Sequence, residues 1–319
     1  MVKIHMQNVI EKNRRFYEQF VAGMIHERFP EYEDRIAVGI VGEGSDCFGY
    51  DDEISRDHDF GTGVCLWLTD EDMARFGNPL SIAYNELVDS AERSYFTERL
   101  RERRGVMTVR RFYSNVLNIE CDAEKPFLSE EQWLALDHSC LKTATNGEVF
   151  RDDPGVFTAF RQYLLQYYPD CVWRVRLARQ LHEYASAFQV NYSRCMARGD
   201  TVAAELCRAR GIAAAMELFF LLKKEYPPYY KWTFRALSEL DTEGGFASKL
   251  RELSLEPLRL EAWKGTKYLP NRSNFKDRIV SLSEEIASEI EVMLAESGLI
   301  RVRGRYLETH VNAVLKGIL

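Results

Sequence analysis

The sequence predicts an α+β protein in which a small mixed sheet with flanking helices is followed by an all-helical region. Short β-branched runs between polar loops occur in the first half of the chain. An Asp-Asp-Pro-Gly run at residues 152–155 then interrupts the pattern, and beyond it apolar residues recur at helical spacing almost to the end. With 319 residues the chain is long enough for two domains, which we place at residues 1–153 and 154–319.

The N-terminal half alternates predicted helices and strands. Pro30 ends the first helix, because proline lacks the N–H that a helix interior needs. A Ser129-Glu-Glu-Gln132 capping box begins a short helix. An Asn-Gly pair between two β-prone arms predicts a hairpin at residues 143–150. That first helix is predicted at 7–28 and a further one at 79–101, and the predicted strands are 35–42, 58–68 and 105–113.

The C-terminal half has the 3.6-residue periodicity of packed helices. Trp173 and Phe219 lie among apolar neighbours at that spacing and are predicted to be core residues. The predicted helices are 157–168, 172–198, 201–225, 229–240, 249–263 and 274–297.

Composition restricts the class of protein. Hydrophobic residues make up 46% and charged residues 29%, the balance of a soluble globular chain. The longest apolar stretch, residues 211–222, is shorter than the roughly 20 residues of a membrane span, and residues 1–7 contain no apolar signal core. The seven cysteines are scattered without a Cys-x-x-Cys pair, as in proteins of a reducing compartment. We therefore expect a cytoplasmic protein without a membrane segment.

Charge is unevenly distributed along the chain. Residues 1–150 hold 17 Lys and Arg against 28 Asp and Glu, whereas the remainder is mildly basic within a net charge of −7. This asymmetry would fit a cleft that holds metal on its acidic wall and phosphate on its basic wall. It would fit equally well two differently charged surfaces that face solvent. No basic stripe is visible, so duplex nucleic acid is not an expected partner.

The most informative segment follows the first predicted strand. Gly44-Ser45 follows that strand, and after eleven more residues Asp57-His-Asp59 lies at the start of the next one. Residues i and i+2 of a strand share a face, so Asp57 and Asp59 would present two carboxylates side by side. Such a pair suits Mg²⁺, which prefers oxygen ligands and shares substrate phosphates. Gly44 would let the backbone approach a phosphate, and Ser45 would add a hydroxyl and an N–H.

The Gly-Ser and Asp-x-Asp pattern resembles the polymerase-β-type nucleotidyltransferase superfamily. Within it, the chain resembles a bacterial family known as domain of unknown function 4037, also through residues 144–152, 192–200 and 225–232. Aminoglycoside adenylyltransferases share the same general plan, a small catalytic domain followed by a helical one. The resemblance covers nearly the whole chain.

The resemblance implies that a substrate hydroxyl attacks the α-phosphorus of a nucleoside triphosphate and that pyrophosphate leaves. Asp57 and Asp59 would then hold two Mg²⁺ ions, with Gly44 and Ser45 on the β- and γ-phosphates. A third carboxylate is usual in the superfamily, but the strand predicted at 105–113 carries no acid. Glu120 and Asp122 are the candidates that follow it, and a solvated loop position is the alternative for each.

Lys231 lies between aromatic residues in the basic half and could reach a triphosphate, or could simply lie along the surface at a helix start. Arg194 and Asp200 are weaker candidates for a cleft.

Two functions stay open. The first is a Mg²⁺-dependent transfer of a nucleoside monophosphate, with AMP from ATP favoured, to a hydroxyl of an unidentified small-molecule acceptor. The alternative is a catalytically weak or inactive module that binds a nucleotide or a partner on the same fold.

Overall fold

The computed structural model describes residues 9–50, 62–91, 103–266, 268–270, 272–301 and 304–316. The protein is α+β, as the sequence predicts. The chain divides into two compact units, Met1–Tyr167 and Tyr168–Leu319. All four strands of the described residues lie in the first unit. The functional division at residue 153 stays a prediction, and the helix Val156–Leu165 belongs to the first unit.

The sheet of the first unit contains β1 (Ala37–Ile40), β2 (Cys65–Leu68), β3 (Gly105–Thr108) and β4 (Glu148–Arg151), in the order β3-β2-β1-β4. The pairings of β1 with β2 and with β4 are antiparallel, and β2 and β3 are parallel, so the sheet is mixed. Gly39 pairs with Cys65, and Cys65 pairs with Gly105. The end of β1 therefore lies beside the beginnings of β2 and β3.

The first unit has six described α-helices, two of which contain a π-helical turn. Helix α1 comprises Val9–Phe16 and Ala22–Arg28 with the π-helical turn Tyr17–Val21 between them. Helix α2 comprises Asp70–Asp72, the π-helical turn Met73–Gly77, and Asn78–Ala91. The others are α3 (Val109–Leu117), α4 (Glu130–Ala135), α5 (His138–Thr145) and α6 (Val156–Leu165).

The two faces of the sheet are buried against different helices. Val38, Leu66 and Leu68 are fully buried in a cluster with residues of α1 and α2. Trp67 points to the other face, because side chains alternate along a strand. Its ring stacks on Phe157 of α6 at 3.8 Å between centroids. A sheet covered on both faces explains why β1 and β2 read as short continuous apolar runs.

The third strand is shorter than predicted. It ends at Thr108, whose hydroxyl accepts a hydrogen bond from the N–H of Arg111 at 3.0 Å and so caps α3. Val109 and Phe112 then face the core at helical spacing. The prediction of a strand through residue 113 was wrong, because this cap overrides the β-propensity of the valines.

The predicted hairpin at residues 143–150 was also wrong. Its first arm is the end of α5, and only its second arm is a strand, β4. The predicted capping box at Ser129 and Gln132 is confirmed, with both reciprocal hydrogen bonds present.

The described elements of the second unit are helical. Helix α7 comprises Asp170–Tyr184 and Ser193–Arg198 with the π-helical segment Ala185–Tyr192 between them. One helix of this unit ends at Leu255, because Glu256 precedes a proline and is extended. The remaining helices are α8 (Thr201–Lys223), α9 (Tyr230–Leu240), α10 (Gly245–Leu255), α11 (Arg278–Glu296) and α12 (Val311–Leu315).

Specific polar contacts join these helices. The Trp173 indole donates to the carbonyl of Leu221 at 2.8 Å, which ties α7 to α8. Asp277 is 1% exposed and accepts hydrogen bonds from Tyr192, Trp263 and the N–H of Ile279. Trp173 and Phe219 are buried, which confirms that they are core residues. Within the described ranges, none of the helices combines the length and apolar character that crossing a bilayer requires.

Candidate functional site

The segment after β1 forms a tight loop, which we call the glycine loop (Gly42–Phe48). It consists of Gly42, Glu43 and Gly44 followed by a short 3₁₀ helix, Ser45–Phe48. The φ angles of Gly42 and Gly44 are +124° and +114°, values that residues with a Cβ rarely adopt. Glycine at these two positions therefore allows the backbone turn that follows β1.

Asn146 fixes the first glycine of the loop. Its side-chain oxygen accepts from the N–H of Gly42 at 2.9 Å, and its side-chain nitrogen donates to the carbonyl of Gly42 at 2.7 Å. The contact is buried, so these hydrogen bonds satisfy two backbone groups that water does not reach. Arg161 in turn donates to the carbonyl of Asn146 at 2.8 Å, and burial lowers the pKa of its guanidinium.

Gly147 makes the close approach of this segment possible. Its φ is +60°, and a Cβ at this position would lie 1.9 Å from the carbonyl oxygen of Ile40. The Asn-Gly pair thus has a role that differs from the predicted hairpin turn: Asn146 holds the glycine loop, and Gly147 lets β4 begin directly beside β1.

A buried ion pair fixes the second half of the loop. Arg104, immediately before β3, lies 2.9 Å from a carboxylate oxygen of Asp46, and both side chains are at most 4% exposed. The other Asp46 oxygen accepts from the N–H of Cys47 at 2.9 Å. Burial raises the pKa of the Cys47 thiol, which keeps it protonated and unreactive.

Gly44 and Ser45 are half-buried and lie between the exposed Glu43 and the buried Asp46. A Cβ on Gly44 would lie 2.3 Å from a carboxylate oxygen of Asp46, so the ion pair and this glycine depend on each other. The carbonyl of Ser45 accepts from the N–H of Tyr50 at 2.8 Å. The Ser45 hydroxyl makes no hydrogen bond with any other described residue. This turn is where the loop can meet a ligand.

Asp57 and Asp59 lie outside the described residues, and their predicted role as a metal-binding pair stays a prediction. The chain is described again from Thr62, which is buried and whose hydroxyl finds no partner in the described part of the chain. The N–H of Gly63 donates to the buried side chain of Asn13 at 2.7 Å. In the described ranges, no three His, Cys, Asp or Glu side chains form a group that could hold a metal ion.

Lys231 is exposed at the beginning of α9 in the second unit. Its ammonium lies 5.4 Å from the centre of the Trp232 ring, and the Arg235 guanidinium lies 5.7 Å from the same ring. Tyr230 is 76% exposed, with its ring 4.4 Å from that of Tyr229. The structure therefore gives Lys231 an exposed, aromatic and basic setting. Gly44 and Ser45 belong to the first unit.

The two candidates for a third acid lie in the loop after α3, and both are exposed. Asp122 accepts from the N–H of Glu124 at 3.1 Å and so stabilises its own turn. Glu124 borders a small cavity together with Thr69 and Arg110, at the ends of β2 and β3. The glycine loop, in contrast, lies beside the beginnings of β2 and β3, at the other end of these strands.

The weaker candidates Arg194 and Asp200 have structural contacts. Arg194 donates to the hydroxyl of Tyr268 at 3.1 Å. Asp200 caps α8 by accepting from the N–H of Ala203 at 3.1 Å.

Sequence reasoning missed Asp46 and Arg104. Asp46 follows Gly44-Ser45 directly and is hidden among the many acids of residues 43–59. Arg104 is one of three arginines in residues 101–104, and nothing local distinguishes the one that is buried.

Comparison with known proteins gives one match. Residues 133–233 match the family model described as Domain of unknown function (DUF4037). The matched range includes Asn146, Gly147, Arg161 and Lys231. No curated protein and no solved structure matches the chain.

Proposed function

We propose that this chain is a Mg²⁺-dependent nucleotidyltransferase. It transfers a nucleoside monophosphate, with AMP from ATP the favoured donor, to a hydroxyl of a small-molecule acceptor. The observation that carries the proposal is the glycine loop, whose Gly-Ser turn is fixed by the hydrogen bonds of Asn146 and by the Asp46–Arg104 ion pair. The same turn precedes the Asp-x-Asp sequence by a dozen residues.

Rigidity of the loop supports phosphate binding. Catalysis of phosphoryl transfer depends mainly on positioning and on neutralising charge. Donors that are already fixed need no reordering when a ligand arrives, which saves the entropy of ordering them. Neither of the two peptide groups that flank Gly42 can rotate without breaking a buried hydrogen bond, and the 3₁₀ helix cannot unwind without exposing an ion pair.

The chemistry of the turn suits the β- and γ-phosphates of a triphosphate. Gly44 has no side chain to keep a phosphate oxygen away from the backbone. The Ser45 hydroxyl is a donor that no other described residue occupies. Ser45 and the neighbouring N–H groups would bind and orient the triphosphate, so that the α-phosphorus faces the acceptor hydroxyl.

Asp57 and Asp59 complete the proposed site as carboxylate donors. Oxygen ligands are those that Mg²⁺ prefers, and the antiparallel pairing of β1 with β2 supports their approach to the glycine loop. Bound there, Mg²⁺ would lower the pKa of the attacking hydroxyl and offset the charge of the triphosphate. Lys231 stays a candidate for a phosphate contact, because an ammonium is a compact point charge.

One observation favours the alternative of a binding module. The described strand β3 consists of Gly, Val, Met and Thr, so it offers no third carboxylate. Asp122 is engaged in its own turn. A site with two carboxylates would bind Mg²⁺ and a triphosphate but turn over slowly.

The experiment that tests the proposal is a pyrophosphate-release assay with ATP, Mg²⁺ and a panel of hydroxylated acceptors, among them amino sugars, sugars and nucleosides. We expect release with at least one acceptor and its loss in the Asp57→Asn variant. Ser45→Ala should reduce the rate, whereas Ser254→Ala, an exposed serine of α10, should not. Binding of Mg²⁺–ATP without release would favour the binding module, and absence of both would contradict the proposal.

A further inference from the structure

Arg103 is a second arginine beside the glycine loop. It directly precedes Arg104, so both residues lie at the beginning of β3. One of its guanidinium nitrogens, Nη1, lies 3.9 Å from the position that a Cβ on Gly44 would take. The Arg103 side chain is 17% exposed. The guanidinium therefore lies against the turn to which the proposed function assigns phosphate binding, and solvent still reaches it.

The backbone of Arg103 is fixed by buried neighbours. Its carbonyl accepts a hydrogen bond from the thiol of Cys65, a fully buried residue of β2, at 3.3 Å. Two residues later, the N–H of Gly105 donates to the carbonyl of Val64 at 2.9 Å. The Arg103 side chain thus starts from a fixed point of the sheet that the glycine loop leaves. A charged group that is already held near a ligand loses less entropy when the ligand binds.

The two arginines have different partners in the loop. Arg104 forms the buried ion pair with Asp46, so the charge of that carboxylate is already compensated. Arg103 is paired instead with Glu43, whose carboxylate oxygen Oε2 lies 3.1 Å from its Nη2. Glu43 belongs to the glycine loop, and its side chain is 63% exposed. A carboxylate of the loop itself therefore occupies the Arg103 guanidinium in this structure.

The Arg103–Glu43 pair is of a kind that a stronger anion can replace. An ion pair with an exposed carboxylate contributes little to stability, because water solvates that carboxylate nearly as well. A guanidinium offers two parallel N–H donors that match phosphate oxygens, and a polyphosphate carries more charge than a carboxylate. Since Glu43 is exposed, its side chain can turn into solvent without uncovering a buried group.

We propose that Arg103 binds the phosphates of a ligand at the Gly44-Ser45 turn, and that Glu43 is an internal competitor which the ligand displaces from the guanidinium. The inference rests on the phosphate site of the proposed function, but it does not depend on the transfer reaction. The exchange favours ligands with several phosphate groups, because a weakly charged anion does not offset the loss of the Glu43 contact.

The test is calorimetric titration of the full 319-residue chain with tripolyphosphate and Mg²⁺. Salt at about 150 mM screens charges that lie more than about 8 Å away. We expect the native chain to bind, and Arg103→Met to weaken binding about ten- to a hundredfold through loss of charge-assisted hydrogen bonds. Glu43→Gln should tighten binding about two- to fivefold, because it removes a competing exposed ion pair. Absence of binding to the native chain, or native affinity in Arg103→Met, would overturn the proposal.

The double variant separates competition from a general effect of charge. Removing any negative charge near a polyanion tightens its binding, so Glu43→Gln alone does not prove displacement. In an Arg103→Met background, Glu43→Gln should no longer tighten binding, because the contested guanidinium is gone. The same gain in both backgrounds would overturn the proposal. If circular dichroism shows Arg103→Met to be unfolded, Arg103→Lys replaces it in both measurements, since lysine keeps the charge but lacks the two parallel donors.

The Arg110–Asp70 ion pair supplies matched controls. It lies just beyond the other end of β3, with 2.6 Å between its charged atoms, and both of its side chains are exposed. Arg110→Met and Asp70→Asn should therefore leave tripolyphosphate binding unchanged, and effects as large as those at Arg103 and Glu43 would overturn the proposal.

Pyrophosphate release from ATP distinguishes this inference from the proposed function. Tripolyphosphate binding that depends on Arg103, without any release, would contradict the transfer reaction and support the role of Arg103. Release that is unchanged in a folded Arg103→Met variant would support the transfer reaction and overturn the role of Arg103.

Discussion

The side-chain amide of Asn146 forms two hydrogen bonds with the backbone of Gly42, 104 residues earlier in the chain. Because this amide both donates to and accepts from Gly42, it extends the hydrogen bonding of β1 past the strand's end, at a point where the neighbouring strand β4 has not yet begun. The glycine loop is thereby attached to the segment that precedes β4. Because the matched family region contains Asn146 but not Gly42, this contact joins that region to the part of the chain before it.

Replacing Asn146 by alanine leaves the N–H and carbonyl of Gly42 buried without partners. An unsatisfied buried polar group costs about 1–3 kcal/mol, so we expect Asn146→Ala to lower the free energy of unfolding by at least that much. Urea denaturation measures the change. Asn312→Ala, at an exposed position of α12, is the control and should have little effect. Equal stability of the two variants would show that the Asn146 contact contributes nothing.

Gly147→Ala tests the close approach of the Asn-Gly segment to β1. The positive φ alone costs roughly 1–2 kcal/mol for a residue with a Cβ. The added methyl would also collide with the carbonyl of Ile40. Gly155→Ala separates the two effects, since its φ is +72° and its Cβ would meet nothing within 4 Å. Thermal melting should show a much larger loss for Gly147→Ala, and similar losses would mean that backbone strain alone explains both.

The Asp46–Arg104 ion pair should respond as one unit. Removing one partner of a buried pair costs about 3–5 kcal/mol, because the other charge is left uncompensated. We expect Asp46→Asn and Arg104→Met each to destabilise the chain strongly, and the double variant by less than their sum. A double-mutant cycle from denaturant unfolding measures the coupling. Glu43→Gln, which removes the exposed partner of Arg103, is the control and should cost under about 1 kcal/mol.

Lys231→Ala tests whether Lys231 takes part in nucleotide binding. A hydrogen bond to a charged group is worth about 1.5–3 kcal/mol, so loss of a phosphate contact should weaken ATP binding about ten- to a hundredfold. AMP lacks the β- and γ-phosphates and should be affected much less. Calorimetric titration with both nucleotides gives the comparison, with Lys264→Ala, another exposed lysine, as control. Equal weakening for ATP and AMP would exclude a contact with those phosphates.

Much of the fold could be predicted, because it follows from local patterns. The β-branched run of β1, the capping box at Ser129 and the apolar spacing of α7 and α8 each have a local cause that the sequence displays. The errors come from competition between local signals. The spacing of Val109 and Phe112 fits a helix, but the neighbouring valines favour a strand. The Thr108 cap decides between them.

The site could be predicted only in part, because its supports are distant in sequence. The residue types that phosphate binding needs point to Gly44 and Ser45, whose role stays a prediction. Arg104 lies 58 residues from Asp46, and no periodicity or motif connects them. The Asn-Gly pair was recognised, but its contact with Gly42 depends on where β4 meets β1, which local propensity does not determine.

The measurement that tests the central claim most directly is calorimetric titration of ATP with Mg²⁺ into the native chain and into an Asp57→Asn/Asp59→Asn variant. A matched control is Asp51→Asn/Asp52→Asn, which removes the same charge from the same acidic segment. If Asp57 and Asp59 hold the metal, the first variant loses Mg²⁺-dependent ATP binding while the control keeps it. Unchanged affinity in the first variant, or equal losses in both, would contradict the assignment of the metal-binding pair.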